Sequence, residues 1–274
     1  MGHTESHPLY LKSEAEIAVM RRAGQLLQGI VLEVAAAARP GVTGLELDKL
    51  AKSRIKEAGA RPAFLNLYGF PATLCLSINE QVVHGIPSAR RLEEGDIASI
   101  DCGLVLEGFF ADTAYTVGVG RVGEGAANLM RATRESLYKG IAQSVAGNRT
   151  GDIGRAVEQH VKAHGYHVTE DYTGHGVGRH LHEDPKIYND GKRRGERLRP
   201  GMVFAIEPMI NIGTSKTREL KDGWTVVTAD GSLSAHFEHT VAVTENGPEV
   251  LTLADGEELP EELLAVLAAV PGRG

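Results

Sequence analysis

Apolar residues near the start of the chain recur at helical spacing. Ile17, Met20, Leu27, Ile30, Val31 and Val34 fall on one face, and Ser13-Glu-Ala-Glu16 ahead of them has the form of a capping box. Arg39-Pro40-Gly41 breaks this run. Thr43-Gly44 then opens a second helix through Leu45, Leu47, Leu50 and Ile55, which Gly59 ends. Between Phe64 and Val119 the period shortens. Three β-like runs, 73–78, 97–105 and 109–117, are separated by turn residues.

The same order then returns. Leu129-Met130-Arg131 reads as the start of a third helix, as Val19-Met20-Arg21 did in the first, and Thr150-Gly151 opens a fourth as Thr43-Gly44 opened the second. Val161-Lys162-Ala-His-Gly165 echoes Ile55-Lys56-Glu-Ala-Gly59. Leu92-Glu-Glu-Gly95-Asp-Ile-Ala-Ser-Ile-Asp101 matches Leu198-Arg-Pro-Gly201-Met-Val-Phe-Ala-Ile-Glu207, 106 residues on, with acid falling on acid. His84-Gly-Ile-Pro87 likewise resembles His182-Glu-Asp-Pro185.

The pattern predicts an α+β chain in which one helix–helix–sheet unit is used twice. The half-repeats span about 13–122 and 123–250 and are related by a pseudo-two-fold. No Ser/Pro-rich linker parts them, so both belong to a single domain, 13–260, with the site at their junction. Residues 1–12 read as a short loose tail. Residues 224–228, a turn at Asp230-Gly231, and residues 233–243 predict a hairpin. A short helix over 260–270 and a frayed end complete the chain, so that 261–274 form a C-terminal helix and tail.

Composition narrows the classes. The 274 residues are 42% apolar and 24% charged, ordinary values for a globular protein with a sizeable core. A net charge of −7 gives no footprint for nucleic acid. The two cysteines, Cys75 and Cys102, form no CxxC pair and supply no disulfide framework. No apolar run is long enough to span a membrane, and the first residues show no basic stretch followed by an apolar one, so neither a membrane anchor nor a signal peptide is expected.

Chemistry enters with Asp101 and Asp112. The residues between them read as a hairpin turning at Glu107-Gly108, which sets Asp101 opposite Ala114 and makes Asp112 its diagonal neighbour on the same face. Two acids on one face of an apolar hairpin repel each other and lose hydration, a conflict that a cation removes. Glu207 is the repeat counterpart of Asp101. Gly174-His175-Gly176-Val-Gly178 sets an imidazole among glycines, which allow close backbone approach. His182 follows seven residues later, whereas His180 reads as surface. Ser234-Ala-His-Phe-Glu238-His-Thr-Val-Ala-Val reads as one alternating strand with Glu238, His236 and Thr240 on one face and His239 on the structural face.

Four carboxylates and an imidazole, with no thiolate, suit hard to borderline divalent ions (Mn²⁺, Fe²⁺, Co²⁺ or Zn²⁺), and the negative charge suffices for two. Such a pair activates water for hydrolysis. A phosphate-binding GxxxxGK[ST] loop and a GxSxG nucleophile elbow are both absent.

Ser77-Ile-Asn-Glu-Gln-Val-Val-His84-Gly-Ile-Pro, Asp101-Cys-Gly with Asp112, Gly174-His-Gly-Val-Gly-Arg, His182-Glu-Asp-Pro, Phe204-Ala-Ile-Glu-Pro-Met and Ser234-Ala-His-Phe-Glu-His-Thr together closely resemble type I methionine aminopeptidases, from about Ser13 to Thr252. The resemblance implies a pita-bread fold around a dinuclear metal site and removal of the initiator methionine from nascent polypeptides when the second residue is small. It makes Asp101, Asp112, His175, Glu207 and Glu238 the metal ligands, with Asp112 and Glu238 shared by the two ions. It sets His84 and His182 on the substrate's peptide group, and gives Glu207 the proton of the attacking water. It likens Cys75, Phe70 and Trp224 to the residues that line the methionine side-chain pocket. It further implies a cytoplasmic monomer that works close to the ribosome. Leu67 and Val83 depart from the family, standing where many members have an aromatic residue and a cysteine. Relatives with X-Pro specificity usually carry a further N-terminal domain, and a non-catalytic module of this fold would have lost ligands, all of which stand here.

Overall fold

Helix α1 (Glu14–Ala37) starts where its capping residues are. The Ser13 hydroxyl accepts the Glu16 N–H, and the Glu16 carboxylate accepts the Ser13 N–H, so two otherwise orphaned donors are satisfied. Thr43 and Glu46 repeat the device at α2 (Gly44–Glu57). In the computed structural model, which describes residues 7–254, 256–257, 259–261 and 263–265, the first half continues as β1 (Arg61–Pro62), β2 (Leu74–Ile78), β3 (Gln81–Val83), β4 (Ile97–Leu106) and β5 (Phe109–Gly118). The second half brings α3 (Glu124–Ala142), α4 (Thr150–Ala163), β6 (His167–Val168), β7 (Thr173–Gly176), β8 (Glu183–Tyr188) and β9 (Val203–Ile206). Then come β10 (Met209–Asn211), β11 (Thr217–Glu219), β12 (Val226–Thr228), β13 (Ser234–His236), β14 (Glu238–Thr244) and β15 (Gly247–Val250).

Strands of both halves share one nine-stranded antiparallel sheet in the order β1-β4-β5-β14-β9-β7-β8, with β2 on β4 and β15 on β14. The helices bury their apolar stripes against it. Leu27, Leu47 and Ile55 meet Leu74, Ile100 and Leu104 on the first half, and Leu137, Ile141 and Ile153 meet Phe204 and Ile206 on the second. This curled sheet flanked by two helix pairs is the pita-bread arrangement.

The internal repeat extends to single hydrogen bonds. Gly41 N–H donates to Leu92 O at 2.8 Å, and Gly147 N–H donates to Leu198 O at 3.0 Å, each 106 residues on. The isolated bridge Thr43↔Arg91 recurs as Arg149↔Arg197. The same geometry corrects the alignment at the fourth helix. Arg149, not Thr150, occupies the place of Thr43, and because arginine offers no acceptor oxygen, only the return bond from Arg149 N–H to Asp152 survives. Helix α3 begins at Glu124, ahead of Leu129-Met130-Arg131, with a first turn that is largely exposed.

Three other expectations change. Residues 224–243 do not form a hairpin. The Asp230-Gly231 turn is present, with Gly231 at φ 76°, but β12 pairs with β11 and β3 while β13 pairs with β10, in two separate three-stranded sheets. A turn motif encodes a reversal of direction, not which ladder each flank joins. The single strand expected over 234–243 is two strands, broken at Phe237, whose ring leaves the sheet line to pack edge-on against Tyr115 at 5.2 Å.

The N-terminal tail is loose in neither sequence position nor contact from His7 onward. Asp184 N–H donates to His7 O at 2.9 Å, and Lys12 Nζ lies 2.7 Å from Glu183 Oε2 with both side chains at most 3% exposed. A buried ammonium is tolerable only with such a counter-charge. Residues 1–6 lie outside the described residues. Of the expected C-terminal helix, residues 261 and 263–265 are helical and the rest lies outside the described residues. Among the described residues, no helix is long and apolar enough to cross a membrane.

Candidate metal centre

The centre is assembled from strand register. The β4–β5 hairpin turns at Glu107 and Gly108, at φ 51° and 83°, the left-handed pair that a two-residue turn requires. Asp101 stands opposite Ala114, and Gly103 opposite Asp112. Across β5 on its other side, Glu238 of β14 also stands opposite Ala114. Residues directly opposite share a face, so Asp101, Glu238 and Asp112, two residues before Ala114, all project the same way. The β14–β9 ladder runs His239↔Ile206, which brings Glu207 to the same edge one step beyond.

His175 arrives from β7, squeezed between β8 and β9. Its flanking glycines permit this approach. A Cβ on Gly174 would lie 2.3 Å from Ala205 O, and one on Gly176 would lie 2.3 Å from Asp184 O, both far inside contact distance. The His175 Nδ1–H donates to Gly176 O at 3.1 Å, which places the proton on Nδ1 and turns the Nε2 lone pair inward. That Nε2 lies 3.4 Å from Glu207 Oε1 and 3.8 Å from Asp112 Oδ2. Ligand atoms of Asp112, His175 and Glu238 fall within 4.8 Å of one another.

These groups are in electrostatic conflict. Burial pushes the Asp101 carboxyl up to about 7. Burial, then the neighbouring carboxylates, push Asp112, Glu207 and Glu238 well above the usual range. Burial holds His175 down at about 4, so it is neutral at pH 7 and does not offset the acids as an ion-pair partner. Asp101 Oδ1, Asp112 Oδ1 and Glu238 Oε1 are buried without a hydrogen-bond donor. Buried polar oxygens are rarely left so. Carboxylate oxygens and one imidazole lone pair converging in this way fit a divalent cation site.

Around the acids lie the other residues singled out in the sequence. His182 meets His175 edge-on, with ring centroids 4.4 Å apart, and its buried Nδ1 has no hydrogen-bond partner. Burial lowers its pKa to about 3. His84 is held at φ 59° ahead of Gly85, whose backbone closes on Leu76. Its charge would weigh on both His182 and His236. Cys75 stands opposite Asp101 on β2, and burial, then the Asp101 and Asp112 charges, keep its thiol well above the usual range and therefore protonated. Phe70 meets Trp224 edge-on at 5.1 Å. With Cys75, Phe64 and Leu181 they form an apolar cluster, against which Leu67 packs. Val83 faces elsewhere, into a small cluster with Val226 and Met209.

The structure adds residues that periodicity did not single out. His236 Nε2 lies 3.8 Å from Glu207 Oε2, in a side chain 2% exposed. Its only sequence signal was sharing a face with Glu238. Thr240 Oγ1 donates to Asp112 O at 2.7 Å, Thr113 Oγ1 to Glu238 O at 2.7 Å, and Asn189 Nδ2 to Glu207 O at 3.0 Å. Each steadies the backbone of an acid rather than its carboxylate.

The profile of metallopeptidase family M24 matches residues 18–245. The chain belongs to that family. A methionine aminopeptidase of Clostridium perfringens is 51% identical over 246 residues, covering 89% of this chain and 99% of its own. Among solved structures, methionine aminopeptidase from Rickettsia prowazekii is similar with a TM-score of 0.88 at 42% identity, covering 89% of this chain and all of its own. The methionine aminopeptidase of Thermotoga maritima is similar at 0.87 and 43%, covering 89% of this chain and 99% of its own. Within the M24 family this chain is thus a metal-dependent peptidase of the methionine aminopeptidase group.

The opposed shifts at the centre have a consequence for the M24 chain stripped of metal. The carboxylates have folded-state values raised above their unfolded ones, so their contribution is present at low pH and lost as pH rises through about 7 and beyond. The buried histidines are depressed, to about 4 for His175 and about 3 for His182 and His236, so their contribution is lost only as pH falls toward those values. Above about pH 6.5, where an unfolded histidine is already neutral, only the carboxylates remain to act. The Tm of chelated protein should therefore fall as pH is raised from about 6.5 to 8.5, and the Tm gain on adding Mn²⁺ should grow over the same range. Calorimetry showing a flat or rising Tm in chelator would contradict the burial of these acids.

Proposed function

We propose that this chain removes the N-terminal methionine from polypeptides whose second residue is small, acting in the cytoplasm on nascent chains as a monomer. The observation that supports the reading is the apolar cluster of Phe70, Cys75 and Trp224, in which Cys75 stands directly opposite Asp101. An unbranched thioether side chain suits such apolar, aromatic surroundings.

In this reading Asp101, Asp112, His175, Glu207 and Glu238 would hold two divalent ions, Asp112 and Glu238 serving both. When bound, the ions supply Lewis acidity and a hydroxide nucleophile at neutral pH. The protein does the rest. The apolar cluster takes the methionine side chain and sets the scissile bond over the acids. Glu207 accepts the proton of the attacking water and can return it to the leaving amine. His182, neutral at pH 7, donates a hydrogen bond to the carbonyl oxygen as that atom gains charge. His84 contacts the substrate's peptide group.

Purified protein supplied with Mn²⁺ or Co²⁺ should release methionine from Met-Ala-Ser and leave Met-Lys-Ser and Ala-Pro peptides intact. Cleavage of Ala-Pro in preference to Met-Ala would assign X-Pro specificity instead. No cleavage with any divalent ion would overturn the reading.

A further inference from the structure

Among the described residues, a second group of metal-ligating side chains converges away from the acidic centre. Glu135 of α3, His160 of α4 and His164, which caps the C-terminus of α4, each bring one ligand atom within 4.8 Å of the others. We propose that Glu135, His160 and His164 form a separate site for one divalent transition ion of the zinc class, which clamps α3 to α4.

The argument starts from spacing. Residues four apart lie on one face of a helix, and two histidines so placed are a recurrent way for a helix to hold zinc. Here they face the neighbouring helix. His160 Nε2 lies 3.1 Å from Glu135 Oε2, across the α3–α4 interface. The His160 and His164 rings are 4.6 Å apart between centroids and tilted by 45°. The His164 Nδ1–H donates to His160 O at 3.0 Å, so its proton sits on Nδ1 and Nε2 keeps its lone pair. Backbone carbonyls orient metal-binding imidazoles in the same way. Two imidazoles and one carboxylate match the N/O preference of zinc and leave a fourth position for water, whereas Mg²⁺ and Ca²⁺ would need more oxygen ligands. The His160 side chain is 15% exposed and Glu135 45%, so an ion could enter directly from solvent.

The internal repeat supplies an independent reason. At the place of His160, 106 residues earlier, stands Arg54, and Ala58 stands at the place of His164. Arg54 forks onto Glu33 of α1, with Nε and Nη2 2.7–2.9 Å from its carboxylate oxygens, and its Nη1 lies 2.8 Å from Glu57. The first half thus clamps its helix pair with a fixed cation between the helices. The second half exchanges the guanidinium for an imidazole, adds a second imidazole one turn on, and takes its acid from a different position on α3, since Lys139 stands at the place of Glu33 and Glu135 at the place of Gly29. A bound divalent ion would join α3 to α4 as Arg54 joins α1 to α2.

Equilibrium dialysis against ZnCl₂ at micromolar free Zn²⁺, with thermal unfolding on the same samples, tests the site. The acidic centre also takes up zinc, so the readout is a difference between proteins. Wild type should hold one more equivalent of Zn²⁺ than either His164→Ala or Glu135→Gln, and its Tm should rise further on zinc addition. Zinc-free Tm should be nearly equal in wild type and His164→Ala, because His164 is exposed, and the Mn²⁺-supported activity of both should be equal. Equal zinc equivalents and equal Tm responses in wild type and His164→Ala would overturn the proposal. So would an additional equivalent that appears only at millimolar Zn²⁺.

Discussion

Glu238→Gln should give a folded, more heat-stable and inactive protein. The side chain is 2% exposed and its Oε1 accepts no hydrogen bond. Without metal, burial and then Asp112, Glu207 and Asp101 disfavour its charged form, so the folded state must either carry that charge at a cost or take up a proton. An amide of the same shape removes that repulsion and much of the desolvation cost. In chelator, the variant should therefore unfold at a higher temperature than wild type at pH 7.5. The same change removes an anionic ligand, and kcat/KM on Met-Ala-Ser should fall by about a thousandfold or more, which is roughly 4 kcal/mol of lost transition-state stabilisation. Metal analysis after dialysis should show fewer Mn²⁺ equivalents than wild type. The two readouts are coupled by one cause, the convergence of charge. A variant that kept its metal and most of its turnover would show that Glu238 is not a ligand, even if its stability rose as expected.

His182→Ala separates chemistry from metal binding. His182 touches the His175 ring at 4.4 Å, but it is not among the five ligands proposed. In the proposed role its neutral imidazole donates a hydrogen bond to the scissile carbonyl oxygen as charge develops there, and removing one such donor commonly costs about 100- to 1,000-fold in kcat. Mn²⁺ stoichiometry should match wild type, and KM for Met-Ala-Ser should change much less than kcat, because the bond forms fully only in the transition state. A kcat within about tenfold of wild type would remove the proposed role. Loss of metal together with turnover would instead place His182 in the support of His175.

Much of this arrangement was legible before any coordinates. The Ser13 and Thr43 caps, the Glu107-Gly108 turn and the placing of Asp101 and Asp112 on one face rest on local rules: a side-chain oxygen reaching three residues on, φ above zero at two adjacent positions, and an alternation of two along a strand. The repeat was legible because Gly95 and Gly201 serve equivalent turns, at φ 94° and 89°, with the acids six residues beyond each. What failed also failed for local reasons. The Asp230-Gly231 turn forms as expected while its flanks join different sheets, and Arg149 replaces a capping side chain with one that cannot cap.

The chain by itself determined the helix starts, the hairpin register, the duplicated unit and the pairing of unlike-placed acids, because each depends on residues near in sequence. Only the tertiary structure decided how the two halves meet. Strand β14 lies between β5 and β9, and that choice sets Glu238 opposite Ala114 and carries Glu207 and His175 to Asp112. The approach of His236 to Glu207, the burial of Lys12 on Glu183 and the second cluster on α3 and α4 likewise join residues distant in sequence. No local pattern encodes them, because their distances follow from packing, in which close-fitting side chains and glycines fix how far one backbone can approach another.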